Sequence, residues 1–125
     1  MSVQTCPCGS GRPLSDCCAR LHGVLPAPSA EALMRSRYSA FVLGLESYLR
    51  ATWHVSTRPQ SLSLPDANKW LGLSIKRHET VGDAAQVEFV ARFRVGGGSA
   101  QRQHERSRFV REPDGRWYYV DGEML

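Results

Sequence analysis

Four cysteines cluster near the amino terminus and are the strongest chemical signal in the sequence. They are Cys6, Cys8, Cys17 and Cys18, and the chain contains no others. Neither the vicinal pair nor the Cys-x-Cys pair readily forms an unstrained disulfide, and cross-pairing would place two bridges side by side in a very small loop. Four thiolates instead suit the tetrahedral coordination of Zn²⁺, at Zn–S distances of about 2.3 Å. The spacing therefore predicts a closed structural zinc site.

His22 leaves one detail of this ligand set open. It follows Cys18 by four residues, and imidazole is an equally good zinc ligand. The fourth ligand is therefore Cys18 or, as an alternative, His22. Between the cysteine pairs, Gly9 and Gly11 supply the turn that such a site needs, because glycine adopts positive φ at little cost.

The composition fits one domain of ordinary size. The hydrophobic content is 42% and the aromatic content 9% of 125 residues, which is enough for a single core. The sequence contains no run near the ~20 apolar residues of a membrane span, and residues 1–5 do not resemble a signal peptide. We therefore expect a cytoplasmic protein, whose thiols stay reduced. We divide the chain into a knuckle at residues 1–23 and a main domain at residues 24–125.

The positive charge is carried almost entirely by arginine. The net charge is +4, and Lys69 and Lys76 are the only lysines. The planar guanidinium suits carboxylates and phosphates, so anionic partners are expected. Arg12 and Arg20 flank the cysteines and predict a partner protein with an acidic surface. Nucleic acid is a weaker expectation, because 12 acidic residues dilute the positive field.

A long helix is predicted over residues 30–44, with Ser29 as its N-cap. The apolar residues at helical spacing are Leu33, Met34, Tyr38, Phe41 and Leu45. Arg37 falls inside this stripe, where a charge is costly unless it is paired. Its guanidinium should therefore either meet a carboxylate inside the fold or reach the edge of the core. Arg35 and Ser36 are expected on the solvated side.

A second helical pattern covers residues 45–53 and is followed directly by His54. A histidine at this position interacts favourably with the helix dipole. The functional alternative is an acid–base group at the rim of a pocket. A single helical turn is also predicted over residues 66–70.

From Leu71 onward the apolar residues alternate with polar ones, which predicts β-strands. The strands are expected at about residues 71–78, 87–95, 101–112 and 117–121. The intervening turns carry Gly82–Asp83, Gly96–Gly98 and Pro113–Gly115. Helices followed by a meander of four antiparallel strands form an α+β arrangement, in which the helices cover one face of a curved sheet and leave a cone.

The interior of this cone depends on the pairing of the second and third strands. Apolar partners favour Val87 opposite Phe109. That register also pairs Ala91 with Glu105 and Phe89 with Ser107. Glu105 would then face inward and become the candidate partner of Arg37. A slip of one residue would instead turn Arg106 inward, and the sequence leaves that choice open.

Several polar side chains expected in or near the cone could bind a small anionic ligand. The candidates are Arg37, Tyr38, His54, Glu105, Ser107 and Asp121. Arg37 would contact the anion and the others could supply acid–base chemistry. No spacing of a nucleophile and a base indicates a reaction class, so the sequence favours binding over catalysis.

The cysteine-rich stretch at residues 6–18, CPCGSGRPLSDCC, resembles the SEC-C motif. This motif is the small zinc knuckle best known from the carboxyl-terminal tail of the SecA translocation motor, where it mediates contact with partners. The four cysteines fall on its ligand positions. The resemblance implies a zinc-binding interaction module.

The rest of the chain resembles the YchJ family of bacterial proteins. The matching segments are residues 33–42, 52–54, 70–73, 89–93, 105–109 and 117–122. That family is similar to the NTF2-like fold, an α+β cone, and has no established biochemical activity. The resemblance therefore implies an NTF2-like cone behind a zinc knuckle. A ligand-binding or enzymatic cone, or an arginine-rich sheet face that binds nucleic acid, are the alternatives to an interaction module.

Overall fold

Three helices and a four-stranded sheet make up the part of the fold that the structure describes. The computed structural model describes residues 4–23, 25–62, 64 and 68–125. The elements are a short 3-10 turn (Leu14–Asp16), α1 (Cys18–Gly23), α2 (Ala30–Leu43), α3 (Glu46–Ala51), β1 (Asn68–Val81), β2 (Ala84–Val95), β3 (Gln101–Arg111) and β4 (Trp117–Met124). The strands form one antiparallel sheet in the order β1-β2-β3-β4, which confirms the predicted meander. Within the described ranges, no helix is long and apolar enough to cross a membrane.

Helix α2 begins and ends where its sequence predicts. The hydroxyl of Ser29 caps the helix by accepting a hydrogen bond of 3.1 Å from the backbone N–H of Ala32, which satisfies one of the unpaired amides of the first turn. Gly44 ends the helix in the left-handed region at φ 73°, where glycine carries no Cβ penalty. The helix lies across the concave face of the sheet and forms one side of the core. The buried core residues include Leu33, Met34, Tyr38, Val87, Phe89, Phe109 and Trp117.

The opposite side of α2 is also covered, so the expectation of a solvated Ser36 is wrong. Ser36 is fully buried, and its hydroxyl donates to the carbonyl of Leu33 at 2.8 Å and contacts the Tyr48 hydroxyl at 2.7 Å. Tyr48 belongs to α3, which packs against this side. Because both of its sides are covered, α2 is the central element of the fold.

The pairing of β2 with β3 differs from the predicted register by two residues. Phe109 lies opposite Ala85, and Glu105 lies opposite Phe89. The pairing of apolar residues favoured Val87 as the partner of Phe109. Other small apolar residues of β2 can also lie opposite Phe109, and Ala85 does so in the structure. Because side chains alternate with a period of two, a shift of two residues keeps every side chain on its predicted face. Glu105 therefore faces the concave side, and the slip that would turn Arg106 inward does not occur.

Strand β1 begins earlier than predicted, and it replaces part of the expected helical turn. Asn68 and Trp70 are in the strand, so the helical turn is wrong for residues 68–70; residues 66–67 lie outside the described ranges. The reason is tertiary, because Trp70 pairs with Phe93 of β2. Its indole also contacts the Tyr38 ring edge-on, with centroids 5.7 Å apart.

Candidate metal centre and cone cavity

The four cysteine sulfurs lie within 4.8 Å of one another. The Sγ atoms of Cys8 and Cys17 are 3.7 Å apart, and those of Cys17 and Cys18 are 4.0 Å apart. Four sulfurs placed about 2.3 Å from one ion at the corners of a tetrahedron are separated by about 3.8 Å. The cluster therefore has the size of a four-thiolate site, and the four cysteines could hold a metal ion.

A small hairpin brings the two cysteine pairs together. The backbone N–H of Cys6 donates to the carbonyl of Arg12 at 2.9 Å. Gly9 and Gly11, at the tip, have φ values of 83° and 82°, a region that glycine adopts without strain. Cys18 is the first residue of α1, so the second cysteine pair is placed by the start of a helix.

Contacts within the cluster shift the pKa values of two of its thiols in opposite directions. The contact with the Cys18 thiol lowers the pKa of Cys8 to about 4, and the same contact, together with burial, raises the pKa of Cys18. Cys17 is the one partly exposed cysteine. Its sulfur lies 3.2 Å from the Ser10 hydroxyl and 3.7 Å from Nη2 of Arg12. Such donors stabilise ligating thiolates and orient them.

His22 is directed away from the cysteine cluster. Its Nε2 lies 2.8 Å from the carbonyl oxygen of Ser36, and its ring contacts Tyr48 edge-on with centroids 4.8 Å apart. The group of clustered donors among the described residues includes Cys18 and not His22. The imidazole connects α1 to α2 instead.

The described part of the knuckle, residues 4–23, packs directly on the main domain. Nη1 of Arg35 donates to the carbonyl of Cys8 at 2.8 Å, so the expectation that Arg35 is only solvated is wrong. The Cys6 sulfur lies 3.5 Å from the buried Ser39 hydroxyl. A Cβ on Gly9 would lie 3.3 Å from the carbonyl oxygen of Leu73 in β1. The knuckle therefore touches both α2 and the sheet.

A groove of about 690 Å³ runs beside the cysteine cluster. Its walls carry Arg12, Arg20, Arg35, Asp16 and Glu31, and its apolar surface includes Leu21, Leu25, Pro26 and Pro28. We call it the knuckle groove. Because both the knuckle and the first half of α2 line it, the groove exists only when the two are docked.

A second cavity, of about 290 Å³, lies inside the cone. Four of the six pocket candidates line it: Arg37, Tyr38, Glu105 and Ser107. Its walls also include Phe41, Trp53, Trp70, Phe89, Gln103 and Tyr119. We call this space the cone cavity.

Arg37 is held in the cone cavity by neutral groups. It is 3% exposed, and its Nη1 donates to the carbonyl of Leu49 and to the Thr52 hydroxyl, both at 2.7 Å. Its Cζ lies 4.5 Å from the ring centroid of Tyr119 and 5.3 Å from that of Trp53. Burial lowers the pKa of Arg37 to about 10, so the guanidinium is charged at neutral pH.

Neither predicted environment of Arg37 is correct. The guanidinium does not reach the edge of the core, and no carboxylate oxygen of a described residue lies within 4.0 Å of its nitrogens. Glu105 shares the cavity without a direct ion pair. Cation–π contacts and a backbone carbonyl compensate the charge in part.

Glu105 is positioned by Gln103 and by Gly122. Nε2 of Gln103 donates to Oε2 of Glu105 at 2.9 Å. Burial raises the pKa of Glu105, although Gln103 and Arg37 oppose the shift. On β4, a Cβ on Gly122 would lie 2.1 Å from Oε1 of Glu105. The missing side chain at residue 122 therefore leaves the space that this carboxyl group occupies.

Replacing Gly122 with alanine should displace the Glu105 carboxyl group. The new methyl group overlaps that group, so we expect the free energy of unfolding to fall by about 1 kcal/mol and the NMR signals of the Glu105 side chain to shift. Gly97→Ala is the control, because a Cβ there meets nothing within 4 Å. Unchanged Glu105 signals in Gly122→Ala would contradict this packing.

The Glu105→Gln variant should gain stability relative to the wild type as the pH rises. The raised pKa of Glu105 means that the folded state binds its proton more tightly than the unfolded state, so the stability from this group is lost as pH rises through the folded pKa. Glutamine removes that loss. The free energy of unfolding would be measured in urea at about pH 4 and about pH 7. The value for the variant, relative to that of the wild type, should be higher at about pH 7 than at about pH 4. If the difference in unfolding free energy between the variant and the wild type is the same at both pH values, the raised pKa of Glu105 is contradicted.

The remaining two candidates, His54 and Asp121, do not line the cone cavity. Nε2 of His54 contacts a carboxylate oxygen of Glu112, and its backbone N–H donates to the carbonyl of Tyr119 at 2.7 Å. The histidine therefore joins the segment after α3 to the sheet. Asp121 is on the outer face, where it accepts from Nε of Arg108 at 2.6 Å. Both contacts join residues far apart in sequence, which local patterns do not reveal.

Sequence reasoning missed Gln103, Trp53 and Tyr119 as cavity residues. Gln103 could have been found, because it continues the inward alternation of Glu105 on β3. Trp53 and Tyr119 meet through an isolated parallel bridge, and their rings lie edge to face with centroids 5.0 Å apart. No local signal in the sequence indicates that bridge.

The outer face of the sheet carries several arginines, and two of them form ion pairs on that face. The pairs are Arg106 with Glu123 and Arg108 with Asp121. Arg92 and Arg102 lie directly opposite each other on β2 and β3. The face is therefore a mixture of charges over much of its area.

Two family models match the chain. The model described as "YchJ, middle NTF2-like domain" matches residues 29–122. The SEC-C motif matches residues 4–20. Together they confirm both resemblances and the NTF2-like fold with a cysteine cluster at its amino terminus.

Close relatives and solved structures agree with these matches. UPF0225 proteins of Chromobacterium violaceum and Methylibium petroleiphilum are 59% and 57% identical, each over 94% of this chain and over 90% and 88% of their own lengths. The solution structure of a SEC-C motif containing protein from Rhodopseudomonas palustris has a TM-score of 0.84 at 39% identity, and covers 98% of this chain and 99% of that chain. A crystal structure of a SEC-C motif containing protein from Psychrobacter arcticus has a TM-score of 0.80 at 33% identity, over 96% and 82%. The chain therefore belongs to the YchJ family of UPF0225 proteins.

Proposed function

We propose that this protein is a zinc-dependent interaction module, in which the zinc-bound knuckle and helix α2 together form a groove for an acidic segment of a partner protein. The observation that carries the proposal is the construction of the knuckle groove. Residues of the knuckle and of α2 line it side by side. Metal binding would thus control whether the binding surface exists.

Zinc is the metal that best fits the donor set. Four thiolates select soft or borderline metals such as zinc over magnesium or calcium. Three of the four cysteines are buried, which suits a closed structural site without an open coordination position. Such a site requires reduced thiols, and this supports a cytoplasmic location.

The charges of the knuckle groove support an acidic partner. Arg12 is directed towards Cys17, and Arg35 lies 3.5 Å from Glu31. Arg20 is exposed, and its guanidinium makes no hydrogen bond or ion pair with another described residue. It stands beside the apolar surface formed in part by Leu21. We propose that Arg20 pairs with a partner carboxylate while apolar partner residues fill the groove.

Arg20→Glu should weaken partner capture about tenfold or more, because it replaces an attraction with a repulsion. The protein would be immobilised and exposed to a lysate of its own host, and captured proteins would be quantified by mass spectrometry. Arg102→Glu is the matched control, since Arg102 is exposed on β3 and changes the net charge equally. Cys17→Ser should lose the same partner as Arg20→Glu.

The pattern across these variants decides the result. A partner retained by the wild type and by Arg102→Glu, and lost from Arg20→Glu and Cys17→Ser, supports the proposal. Equal capture by the wild type and Arg20→Glu would refute a role of this groove. Loss from Arg102→Glu alone would move the binding surface to the sheet.

A further inference from the structure

The cone cavity contains a buried cation that the protein does not neutralise directly. Arg37 is 3% exposed, and both of its hydrogen bonds go to neutral oxygens. Those bonds use only Nη1. No described residue accepts a hydrogen bond from Nε or Nη2 of Arg37, and both atoms can donate to a ligand. A guanidinium with unused donors in a buried site suits a carboxylate.

The cavity is lined by aromatic rings on several sides. Phe41, Trp70 and Phe89 line it, and Trp53 and Tyr119 lie next to the guanidinium. Its volume of about 290 Å³ lies just below the usual range of ligand pockets, about 300–1,000 Å³. The space therefore suits a molecule with one ring or a short branched chain.

Glu105 affects how readily this site can accept a negatively charged ligand. It lines the cavity together with Arg37 and Tyr38 of α2 and Tyr119 of β4, and it interacts electrostatically with Arg37 and Tyr119. The sides formed by β1 and β2 contribute only uncharged lining residues, such as Asn68 and Phe89. A ligand carboxylate at Arg37 would place a second negative charge near Glu105. Two carboxylates that share a partly buried site raise the proton affinity of one of them.

We infer that the cone cavity binds a small carboxylic acid with an aromatic or branched apolar body, with its carboxylate on Arg37 and with one proton taken up by Glu105. The proton comes from solvent, and Oε1 is the available position because Oε2 accepts from Gln103. With ligand and proton bound, the Arg37 cation and the ligand anion balance. This site is separate from the cysteine cluster and independent of the proposed role of the knuckle groove.

Tryptophan fluorescence gives a direct test, because Trp53 and Trp70 line the cavity. The probes are benzoate, phenylacetate and 3-methylbutanoate, and benzamide is the neutral counterpart of benzoate. As the pH rises above the pKa of Glu105 in the free protein, the affinity for at least one acid should fall, by at most about tenfold per pH unit, as expected for uptake of one proton. Benzamide should bind at least about tenfold more weakly than benzoate, without this pH dependence.

Two variants separate the roles of the charged groups. Glu105→Gln should bind the acid at about pH 8 at least about tenfold more tightly than the wild type, and its affinity should not change with pH. Arg37→Met should lose acid binding. If Arg37→Met does not fold, Glu105→Gln alone still decides the matter.

Three results would overturn the inference. The first is the absence of a fluorescence change with all three acids at millimolar concentration. The second is an affinity for the acids that does not depend on pH in the wild type. The third is a Glu105→Gln variant that keeps the pH dependence of the wild type, because the proton would then bind elsewhere.

Discussion

Replacing Cys18 with serine should release the bound metal and unfold the knuckle, while the NTF2-like domain stays folded. Cys18 is 2% exposed and starts α1, so in the proposed zinc site its sulfur would be both a ligand and part of the knuckle core. Zinc-binding free energies of about 10 kcal/mol or more drive the folding of small sites of this kind. Without that energy the knuckle has only three buried cysteines and few apolar neighbours as a core.

Hydrogen exchange measured by mass spectrometry is the suitable measurement for Cys18→Ser. Amides of residues 4–23 should lose protection, and those of β2 and β3 should keep it. Ala19→Ser, which adds a hydroxyl to the same helix, is the control and should keep both the metal and the protection. A Cys18→Ser variant that keeps its metal and protected amides would mean that the cluster needs only three cysteines.

Replacing Arg37 with alanine should lower the free energy of unfolding by about 3 kcal/mol. The variant leaves the Leu49 carbonyl without its charged donor and removes the contacts with the Tyr119 and Trp53 rings. It also joins the volume of the lost side chain to an existing cavity. The Leu49 carbonyl would keep only the longer hydrogen bond from the Thr52 hydroxyl, at 3.3 Å. The loss therefore combines a weakened backbone hydrogen bond with a packing defect.

Chemical denaturation of Arg37→Ala beside Arg102→Ala would measure this effect. Arg102 is exposed, and we expect its replacement to change stability by less than about 0.5 kcal/mol. If the Arg37→Ala variant is as stable as the wild type, the free-energy cost of burying the guanidinium equals the stabilisation that its contacts provide. Arg37 would then be present for a ligand alone.

Local sequence patterns were sufficient for the elements that capping and periodicity specify. Ser29 and Gly44 delimit α2 as expected, because each satisfies a geometric requirement at a helix end. The cysteine spacing indicated a cluster of four thiols that could hold a metal ion, because few other arrangements suit four cysteines this close in the sequence. Glu105 was placed on the correct face although its partner strand was displaced by two residues, since an even displacement preserves the alternation.

The contacts that failed prediction are those made by tertiary packing. Ser36 and Arg35 look like surface residues of α2, but α3 and the knuckle cover them. His54 and Asp121 look like free polar groups near a pocket, but His54 contacts Glu112 just after β3, and Asp121 pairs with Arg108 on the neighbouring strand. A helical period describes one side of a helix and carries no information about a second layer on the other side.

The environment of Arg37 shows the same limit. A charged residue on an apolar stripe led to two expected solutions, a carboxylate partner or an exposed tip. The fold instead uses a backbone carbonyl, a hydroxyl and two aromatic rings, and these come from α3, the segment after it and β4. The anomaly was visible in the sequence, whereas its compensation depends on the whole fold.

X-ray absorption at the zinc K-edge tests the central claim that the four cysteines bind zinc. The protein would be purified without added metal, and one zinc per chain should be present. The account predicts a single shell of four sulfur atoms at about 2.3 Å. A protein without zinc, or a zinc shell that contains nitrogen or oxygen, would contradict it.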